Sequence, residues 1–432
     1  RQEVQPSSPA AAYGKGREIK SVPPIKVLQI CDHLGWEGSR MHGVKRLFSW
    51  VIPRFDTSRF RVSLLSLRKK DVSEDRLEQY GFPVYYLEKG RFDPTTLPAL
   101  IRLLRRLDID VIQTHGYGAT TFGRAAAALL RMPNVLQEHA NLTDTPWFQK
   151  IPDELLDRFT DVAIAVSKST RRFCIEGRRL SPERVKLVYL GAPLEEFEPK
   201  GRAVEEEARR QLSFAESGHP VVGTVTRLHE SKGNRYFVEA AAIVARHRPE
   251  VRFAIVGEGP LREELEAQAA RLGISNKLVF AGFQKDVVSA FASFQVTVFP
   301  SLWEGTPLTL FEAMGMARPL VSTDVDGLSD VLLDEVNALV VPPRDPPALA
   351  RAIIRLLDEP PLAARLAKEA RATSRRFDIQ VFVGKMSQLY EVLVDRYRRM
   401  PRGRPRWDYS RDFAFLEDTT GRLAPKVGIE TP

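Results

Sequence analysis

The sequence is poor in cysteine and contains no long hydrophobic run. Its two cysteines, Cys31 and Cys174, show no metal-ligand spacing, so we expect neither a disulfide framework nor a cysteine metal site, and a reducing cytoplasm is the predicted compartment. No apolar stretch approaches the roughly 18 residues of a membrane-spanning helix, and the N-terminus lacks the apolar core of a signal peptide. These absences predict a cytoplasmic protein that is either soluble or bound to a membrane surface.

Negative charge is scarce in the first half of the chain. Residues 1 to 200 carry 32 Lys and Arg against 24 Asp and Glu, whereas the remainder carries 32 against 31. A basic half can indicate an acidic surface as a partner, either anionic lipid or nucleic acid, or only a basic face in contact with solvent. Of the two partners, an anionic membrane surface is the one considered possible, and nucleic acid is not expected.

The length and the pattern of apolar residues predict two α/β domains. A chain of 432 residues with 43% hydrophobic content suits two domains of roughly 200 residues. Short apolar strands alternate with helical patterns twice along the chain, which predicts two parallel sheets covered on both faces. We therefore expect two Rossmann-like, doubly wound domains, at residues 25 to 192 and 219 to 377, joined by a linker at 193 to 218.

The remaining segments lie outside these two domains. Residues 1 to 24 have few large apolar side chains and are predicted to be disordered. Residues 378 to 397 form an amphipathic helix. Residues 398 to 432 begin with an arginine run interrupted by prolines, which favours a basic, disordered tail, with contact to phosphate or anionic lipid as the alternative.

The most informative stretch is residues 301 to 321, which directly follow an apolar strand. Thr306 suits a helix N-cap and Pro307 the first helical position, so the pattern predicts a helix from Pro307. Its N-terminus would present free backbone N–H groups and partial positive charge to a phosphate. Glu304 and Glu312 flank this site, and carboxylates are natural acceptors for paired sugar hydroxyls.

In two parallel-sheet domains, ligands bind beyond the carboxyl ends of the strands. In the first domain these positions hold the small residues Gly38 and Ser39 after the first strand, His115 after a buried strand, and His139 after the next. A histidine at such a position is also compatible with a purely structural hydrogen bond.

The second domain offers three further loops after strands. Arg227 and Lys232 are close enough in sequence for both cations to contact one diphosphate. The loops after the next two strands hold Gly257 and Gly259, and Phe283 and Asp286. The glycine turn is not a dinucleotide fingerprint, because Arg262 stands where its third glycine would be.

The run Glu304-Gly-Thr-Pro-Leu-Thr-Leu-Phe-Glu312-Ala-Met resembles the Glu-x7-Glu signature of the retaining GT-B glycosyltransferases of family 4. The resemblance covers about residues 25 to 397 and is strongest over 219 to 345. It implies the GT-B fold, with two domains facing a cleft and the helix at 378 to 397 crossing back to the first domain.

The resemblance also implies roles for the candidate residues. Glu312 would hold the ribose hydroxyls, Glu304 the donor sugar and His115 the sugar from the first domain, while Arg227 and Lys232 would stabilise the leaving diphosphate without a metal. Contacts to the nucleotide-diphospho-sugar, which is a substrate and not a cofactor, are implied for Gly38, Ser39, Gly257, Gly259, Phe283, Thr306, Leu308 and Thr309.

The sequence therefore predicts a retaining glycosyltransferase that moves a sugar from a nucleotide-diphospho-sugar to a saccharide or lipid-linked acceptor. Two alternatives remain open. One is a sugar phosphorylase or epimerase of the same fold, which would use free phosphate or no acceptor. The other is a non-catalytic protein that binds nucleotides or polyanions, which would show salt-sensitive binding and no turnover.

Overall fold

The computed structural model describes residues 23–35, 41, 43–73, 75–91, 93–139, 145, 147–211, 219–400 and 403–417. Its first half forms a seven-stranded parallel sheet in the order β3-β2-β1-β4-β5-β6-β7. The strands are β1 (Ile25–Cys31), β2 (Phe60–Ser66), β3 (Val84–Tyr86), β4 (Val111–His115), β5 (Asn134–Glu138), β6 (Val162–Ala165) and β7 (Val185–Leu187).

The second half forms a separate six-stranded parallel sheet in the order β10-β9-β8-β11-β12-β13. Its strands are β8 (Val221–Val225), β9 (Arg252–Val256), β10 (Leu278–Gly282), β11 (Val296–Phe299), β12 (Leu320–Thr323) and β13 (Leu339–Val341). Central strands such as β4 and β8 are buried along their whole length, because helices cover both faces of each sheet. Two doubly wound α/β domains are thus confirmed.

Helices connect the strands and cover the two sheets. In the first half they are α1 (Gly43–Val51), α2 (Thr96–Leu107), α3 (Tyr117–Leu130), α4 (Trp147–Asp157) and α5 (Lys168–Arg172), and α6 (Arg202–Gln211) lies between the sheets in sequence. In the second half they are α7 (Asn234–His247), α8 (Arg262–Arg271), α9 (Val287–Ser293), α10 (Leu308–Gly315), α11 (Asp326–Ser329), α12 (Pro346–Asp358) and α13 (Pro360–Ser374).

The chain passes between the two domains twice, and the two passages pair with each other. Ala192 donates its N–H to the carbonyl of Phe377 at 3.1 Å, and its carbonyl accepts from the N–H of Ile379 at 2.9 Å. Gly191 packs so closely on this second passage that a Cβ would overlap the Phe377 carbonyl. The last helix, α14 (Ile379–Arg399), then packs on β1 and β4 of the first sheet.

The prediction of a disordered tail from residue 398 is wrong for its first part. Helix α14 continues to Arg399, and residues 403 to 417 fold back with Phe413 and Leu416 fully buried. Two arginines of this segment pair with acids of the first domain: Arg398 with Asp110 at 2.9 Å and Arg404 with Asp161 at 2.9 Å. The aromatic and apolar residues that follow the arginine run supply the buried surface that its own composition lacks.

No helix in the described part of the chain has the length and apolar character needed to cross a bilayer.

Candidate functional site

The N-terminus of α10 lies in the cleft, but its cap differs from the prediction. The helix begins at Leu308, and Pro307 is its cap residue with an extended backbone. Thr306 is not the N-cap, because its hydroxyl donates instead to the carbonyl of Val166 in the first domain, at 2.7 Å. The first N–H groups of α10 have no partner within the helix, so they can bind an anion.

Glu304 is held in place just before this helix. Its carboxylate accepts a hydrogen bond from the Ser301 hydroxyl at 2.8 Å. The Lys232 ammonium donates to both carboxylate oxygens, at 2.5 Å to Oε1 and 2.7 Å to Oε2. Lys232 ends a short turn that stops at Gly233, whose φ of +61° and contact with the Pro300 carbonyl leave no room for a side chain. The acid, the lysine and the start of α10 therefore converge in one place.

The loop that leads to Lys232 carries a second cation, Arg227. Its side chain is exposed, and no ion pair joins it to any described residue. Gly257 and Gly259 lie against the backbone of this loop so closely that a Cβ on either would overlap the carbonyl of Thr226 or Leu228. The two glycines thus shape the Arg227 loop in this structure.

Phe283 and Asp286 lie at the end of β10. The Phe283 N–H donates to the Glu258 carboxylate at 3.3 Å. Asp286 accepts from the N–H of Ser289 at 3.2 Å and caps α9. Capping accounts for Asp286 without a ligand.

Glu312 is in a very different electrostatic state from Glu304. It is fully buried in α10, and neither carboxylate oxygen accepts a hydrogen bond from the described residues. Burial raises its pKa, and the opposing effect comes from Arg46 of α1, whose guanidinium lies 3.1 Å from Glu312 Oε1. Arg46 belongs to the first domain, so this ion pair spans the cleft.

A chain of buried hydrogen bonds runs from the cleft into the first sheet. His139 Nε2 lies 2.8 Å from His115 Nδ1, and His115 Nε2 lies 2.7 Å from Gln29 Oε1. Gln29 donates in turn to the Tyr390 hydroxyl of α14 at 2.8 Å, and that hydroxyl donates to Gln113. The catalytic candidate His115 is thereby connected to the crossover helix.

This network assigns the protons of the histidine pair. Burial holds the pKa of His115 well below its usual range, and it lowers the pKa of His139 to about 4, so both rings are neutral at pH 7. The amide oxygen of Gln29 can only accept, so His115 Nε2 carries the proton and its Nδ1 accepts. His139 Nε2 is therefore the donor of the pair.

His139 also meets the loop of the opposite domain. A Cβ at Gly305 would lie 2.7 Å from the His139 carbonyl, so only glycine allows this approach. His139, Glu304 and the N-terminus of α10 consequently border the same part of the cleft. Across the described ranges, no group of three or more His, Cys, Asp or Glu side chains could hold a metal ion.

Two family models match the chain, one for each domain. Residues 43–196 match "Glycosyltransferase Family 4" and residues 219–359 match "Glycosyl transferases group 1". The alpha-D-kanosaminyltransferase of Streptomyces kanamyceticus is 32% identical over 313 residues, which cover 66% of this chain and 78% of that protein. The chain is a family 4 glycosyltransferase.

Two further comparisons extend this result. A galactosyltransferase of Escherichia coli, named for UDP-Gal and alpha-D-GlcNAc-diphosphoundecaprenol, is 24% identical over 315 residues, 70% of this chain and 80% of that protein. The structure of Anabaena HepE in complex with UDP is 22% identical, with a TM-score of 0.75 over 85% of this chain and all of that chain. The GT-B fold of this glycosyltransferase is thus confirmed.

The structure places most of the predicted site residues of the glycosyltransferase around one cleft. The second domain contributes Arg227, Lys232, Glu304, Thr306, Leu308, Thr309 and Glu312, and the first contributes His115 and His139. Gly38 and Ser39 fall outside the described residues. Gly257, Gly259 and Phe283 border the Arg227 loop, and their predicted contact with the donor stays a prediction.

Sequence reasoning missed three residues of the glycosyltransferase that complete the site. Gln29 could have been noticed as a polar side chain inside the apolar strand β1. Arg46 and Tyr390 gave no signal, because an arginine on an amphipathic helix and a tyrosine on an apolar stripe are ordinary residues there. Their partners are distant in sequence, so only the fold reveals them.

Proposed function

We propose that this glycosyltransferase transfers a sugar from a uridine diphospho-sugar with retention of anomeric configuration and without a metal ion. The observation that carries the proposal is the convergence of Lys232, Glu304 and the start of α10. An anion site directly beside a carboxylate suits a diphosphate attached to a sugar. The UDP named with HepE and the UDP-Gal named with the E. coli relative support uridine as the base.

The proposed chemistry depends on stabilising charge as the leaving diphosphate departs. Lys232, the exposed Arg227 and the N–H groups of α10 all belong to the second domain, and they would stabilise that charge in the transition state. Lys232 would exchange part of its contact with Glu304 for the phosphate. Glu304 would then be free to accept hydroxyls of the donor sugar.

Glu312 is proposed to bind the ribose. Its two buried oxygens accept no hydrogen bond within the described structure, and two neighbouring ribose hydroxyls could donate to them. His139 and His115 would approach the sugar from the first domain. With His115 Nε2 held by Gln29, His139 is the histidine nearer to the opposing loop.

The acceptor is proposed to be a saccharide or a lipid-linked saccharide bound by the first domain. The diphosphoundecaprenol in the name of the E. coli relative supports the lipid-linked form. The positive charge of residues 1 to 200 supports action at the cytoplasmic face of an anionic membrane.

The donor assignment is tested by thermal unfolding with UDP, GDP and ADP. We expect UDP to raise the Tm of the wild type and to have little effect on Glu312→Ala or on Arg227→Ala. Absence of a shift with every nucleotide would refute the donor site. For the stereochemistry, the anomeric proton of the product is followed by NMR with UDP-glucose and UDP-galactose as donors. An inverted product would refute retention.

A further inference from the structure

A ribbon of residues 69–73 and 75–79 follows β2 at the edge of the first sheet that faces the cleft. Cys31 of β1 is level with Ser66, the last residue of β2, and with His115, the last residue of β4. Neighbouring strands lie about 4.8 Å apart, so the end of β2 at Ser66, three residues before the ribbon begins, is about 10 Å from His115.

The ribbon separates its charges by alternating between inside and outside. Asp71, Ser73, Asp75 and Leu77 point inward and are buried, whereas Val72 and Arg76 between them are exposed. The exposed set comprises Lys70, Val72, Arg76 and Glu78, and Lys69 is exposed beside them. The acids at 71 and 75 are therefore hidden while the bases face solvent.

The inward acids attach the ribbon to α1. The Lys45 ammonium lies 2.6 Å from Asp71 Oδ2 and donates to the Ser73 hydroxyl at 2.6 Å, and all three side chains are buried. Arg46, the next residue of α1, pairs with Glu312 across the cleft. One short helix thus fixes the ribbon relative to the proposed donor site.

The outward face of the ribbon borders a cavity of about 360 Å³ that is open to solvent. Its lining residues are Lys70, Arg76, Glu78 and Gln79. Glu78 accepts a hydrogen bond from the Tyr86 hydroxyl at 3.0 Å, so it is held at one side. Within the described ranges, neither Lys70 nor Arg76 forms an ion pair. Two cations on a fixed support, both available to a ligand, suit a phosphate, which arginine can bind through two parallel hydrogen bonds.

We propose that this cavity binds a phosphate group of the acceptor and so selects phosphorylated acceptors over neutral ones. The inference rests on the proposed glycosyl transfer, because it assigns the acceptor side of the same cleft. A sugar phosphate and a sugar linked to a lipid through diphosphate present the same chemistry. The exposed Val72, on the same face, offers apolar surface to the remainder of either molecule.

The test measures binding of N-acetylglucosamine 1-phosphate and of neutral N-acetylglucosamine by calorimetry with saturating UDP, which occupies the donor site. A third arm uses detergent-solubilised N-acetylglucosaminyl diphosphoundecaprenol. We expect the wild type to bind at least one phosphate-bearing probe tenfold or more tightly than the neutral sugar. Preference for the soluble probe indicates a sugar phosphate, and preference for the lipid probe a lipid-linked acceptor.

In the double variant Lys70→Gln/Arg76→Gln, the affinity for the phosphate-bearing probe should fall at least tenfold. The affinity for the neutral sugar should stay unchanged, so the preference is lost. The charge-preserving Lys70→Arg/Arg76→Lys should retain most of it. A matched control removes two exposed cations from the other domain, Arg351→Gln/Lys368→Gln, and should behave like the wild type.

Two results would overturn the proposal. One is a wild type that binds the phosphate-bearing and neutral probes alike, and the other is a double variant that keeps the preference. UDP binding to the same protein preparations is measured in a separate titration, before UDP is added to saturation. If it persists while the phosphate preference is absent, the acceptor inference fails and the donor assignment stands; if UDP does not bind any sample, the proposed function itself fails.

Discussion

The two sides of the cleft are built by different kinds of contact. On the second-domain side, Glu304 is satisfied by Ser301, three residues away, and by a lysine from the neighbouring loop. On the first-domain side, His115 depends on Gln29, and Gln29 depends on Tyr390, which is 361 residues further along the chain. The comparison shows a compact, charged cluster built by local contacts on one side and a long-range hydrogen-bonded support on the other.

The difference suggests a division of tasks. The second-domain side concentrates positive charge, so its substitutions should act on diphosphate binding and on the transition state. The first-domain side holds neutral, buried rings in a fixed orientation, so its substitutions should act on positioning. Glu312 belongs to neither pattern, because its charge is buried and its ion-pair partner lies across the cleft.

The largest effect should come from the second-domain side. Lys232→Gln removes the charge beside the leaving group and leaves the Glu304 carboxylate without its cation, so we expect kcat/KM to fall by about 100- to 1000-fold. The measurement is steady-state transfer from the UDP-sugar that the donor assay identifies. Lys368→Gln, exposed on α13, is the control and should be neutral. A fall of less than threefold would show that Lys232 does not contact the diphosphate.

Glu312→Gln should weaken nucleotide binding and stabilise the protein at the same time. Losing charge-assisted bonds to the ribose, about 1.5 to 3 kcal/mol, should weaken UDP binding by tenfold to about 100-fold. The Glu312 carboxylate is buried and accepts no hydrogen bond from the described residues, and its pair with Arg46 does not offset the effect of burial on its pKa. Removing its charge should therefore raise the free energy of unfolding by about 1 to 3 kcal/mol at pH 8. Calorimetry and urea unfolding measure the two effects.

The size of the stabilising effect depends on pH. Burial raises the pKa of Glu312, so the folded state prefers the protonated acid and the wild type loses stability as pH rises above 4.5, the value of an unperturbed glutamate. The charged groups that act on it are Arg46 and, with the opposite sign, Glu196. The gain in free energy of unfolding of Glu312→Gln over the wild type should therefore vanish below pH 4.5. Glu369→Gln, exposed on α13, should show neither effect.

The histidine pair should make the protein sensitive to acid. Burial lowers the pKa of His139 from 6.5 to about 4, so between these values the unfolded state binds a proton that the folded state excludes. The free energy of unfolding should fall as pH decreases from 6.5 to 4, and His139→Asn should flatten this slope. Urea unfolding across that range is the check, with the exposed His247→Asn as control. Equal slopes for His139→Asn and wild type would contradict a buried neutral ring.

The smallest effect should come from the far end of the hydrogen-bond chain. Tyr390→Phe removes the hydroxyl that joins Gln29 to Gln113. The lost hydrogen bond contributes about 0.5 to 1.5 kcal/mol to holding Gln29 in place, so kcat should fall about two- to tenfold. UDP affinity should stay unchanged, because the anion site lies in the other domain. If UDP affinity fell as much as kcat, Tyr390 would have a general structural role instead.

The second-domain side could largely be predicted from the sequence, because its order is local. The pattern at residues 301 to 321 predicted a helix N-terminus between two carboxylates, although Thr306 proved to bond across the cleft instead of capping. Periodicity also predicted both sheets. By contrast, the Arg46–Glu312 pair and the Gln29–Tyr390 bond join residues whose proximity exists only after the domains have packed. The ordered segment at 403 to 417 was missed because its anchor, Asp161, lies far away in sequence.

The central claim, a diphosphate site formed by the Arg227 loop, Lys232 and α10, is tested most directly by comparing UDP with uridine. Calorimetry of both ligands on the wild type and on Arg227→Gln/Lys232→Gln isolates the contribution of the phosphates. We predict that the wild type binds UDP at least 100-fold more tightly than uridine and that the double variant binds the two within about tenfold. A double variant that keeps the full preference for UDP would contradict the claim.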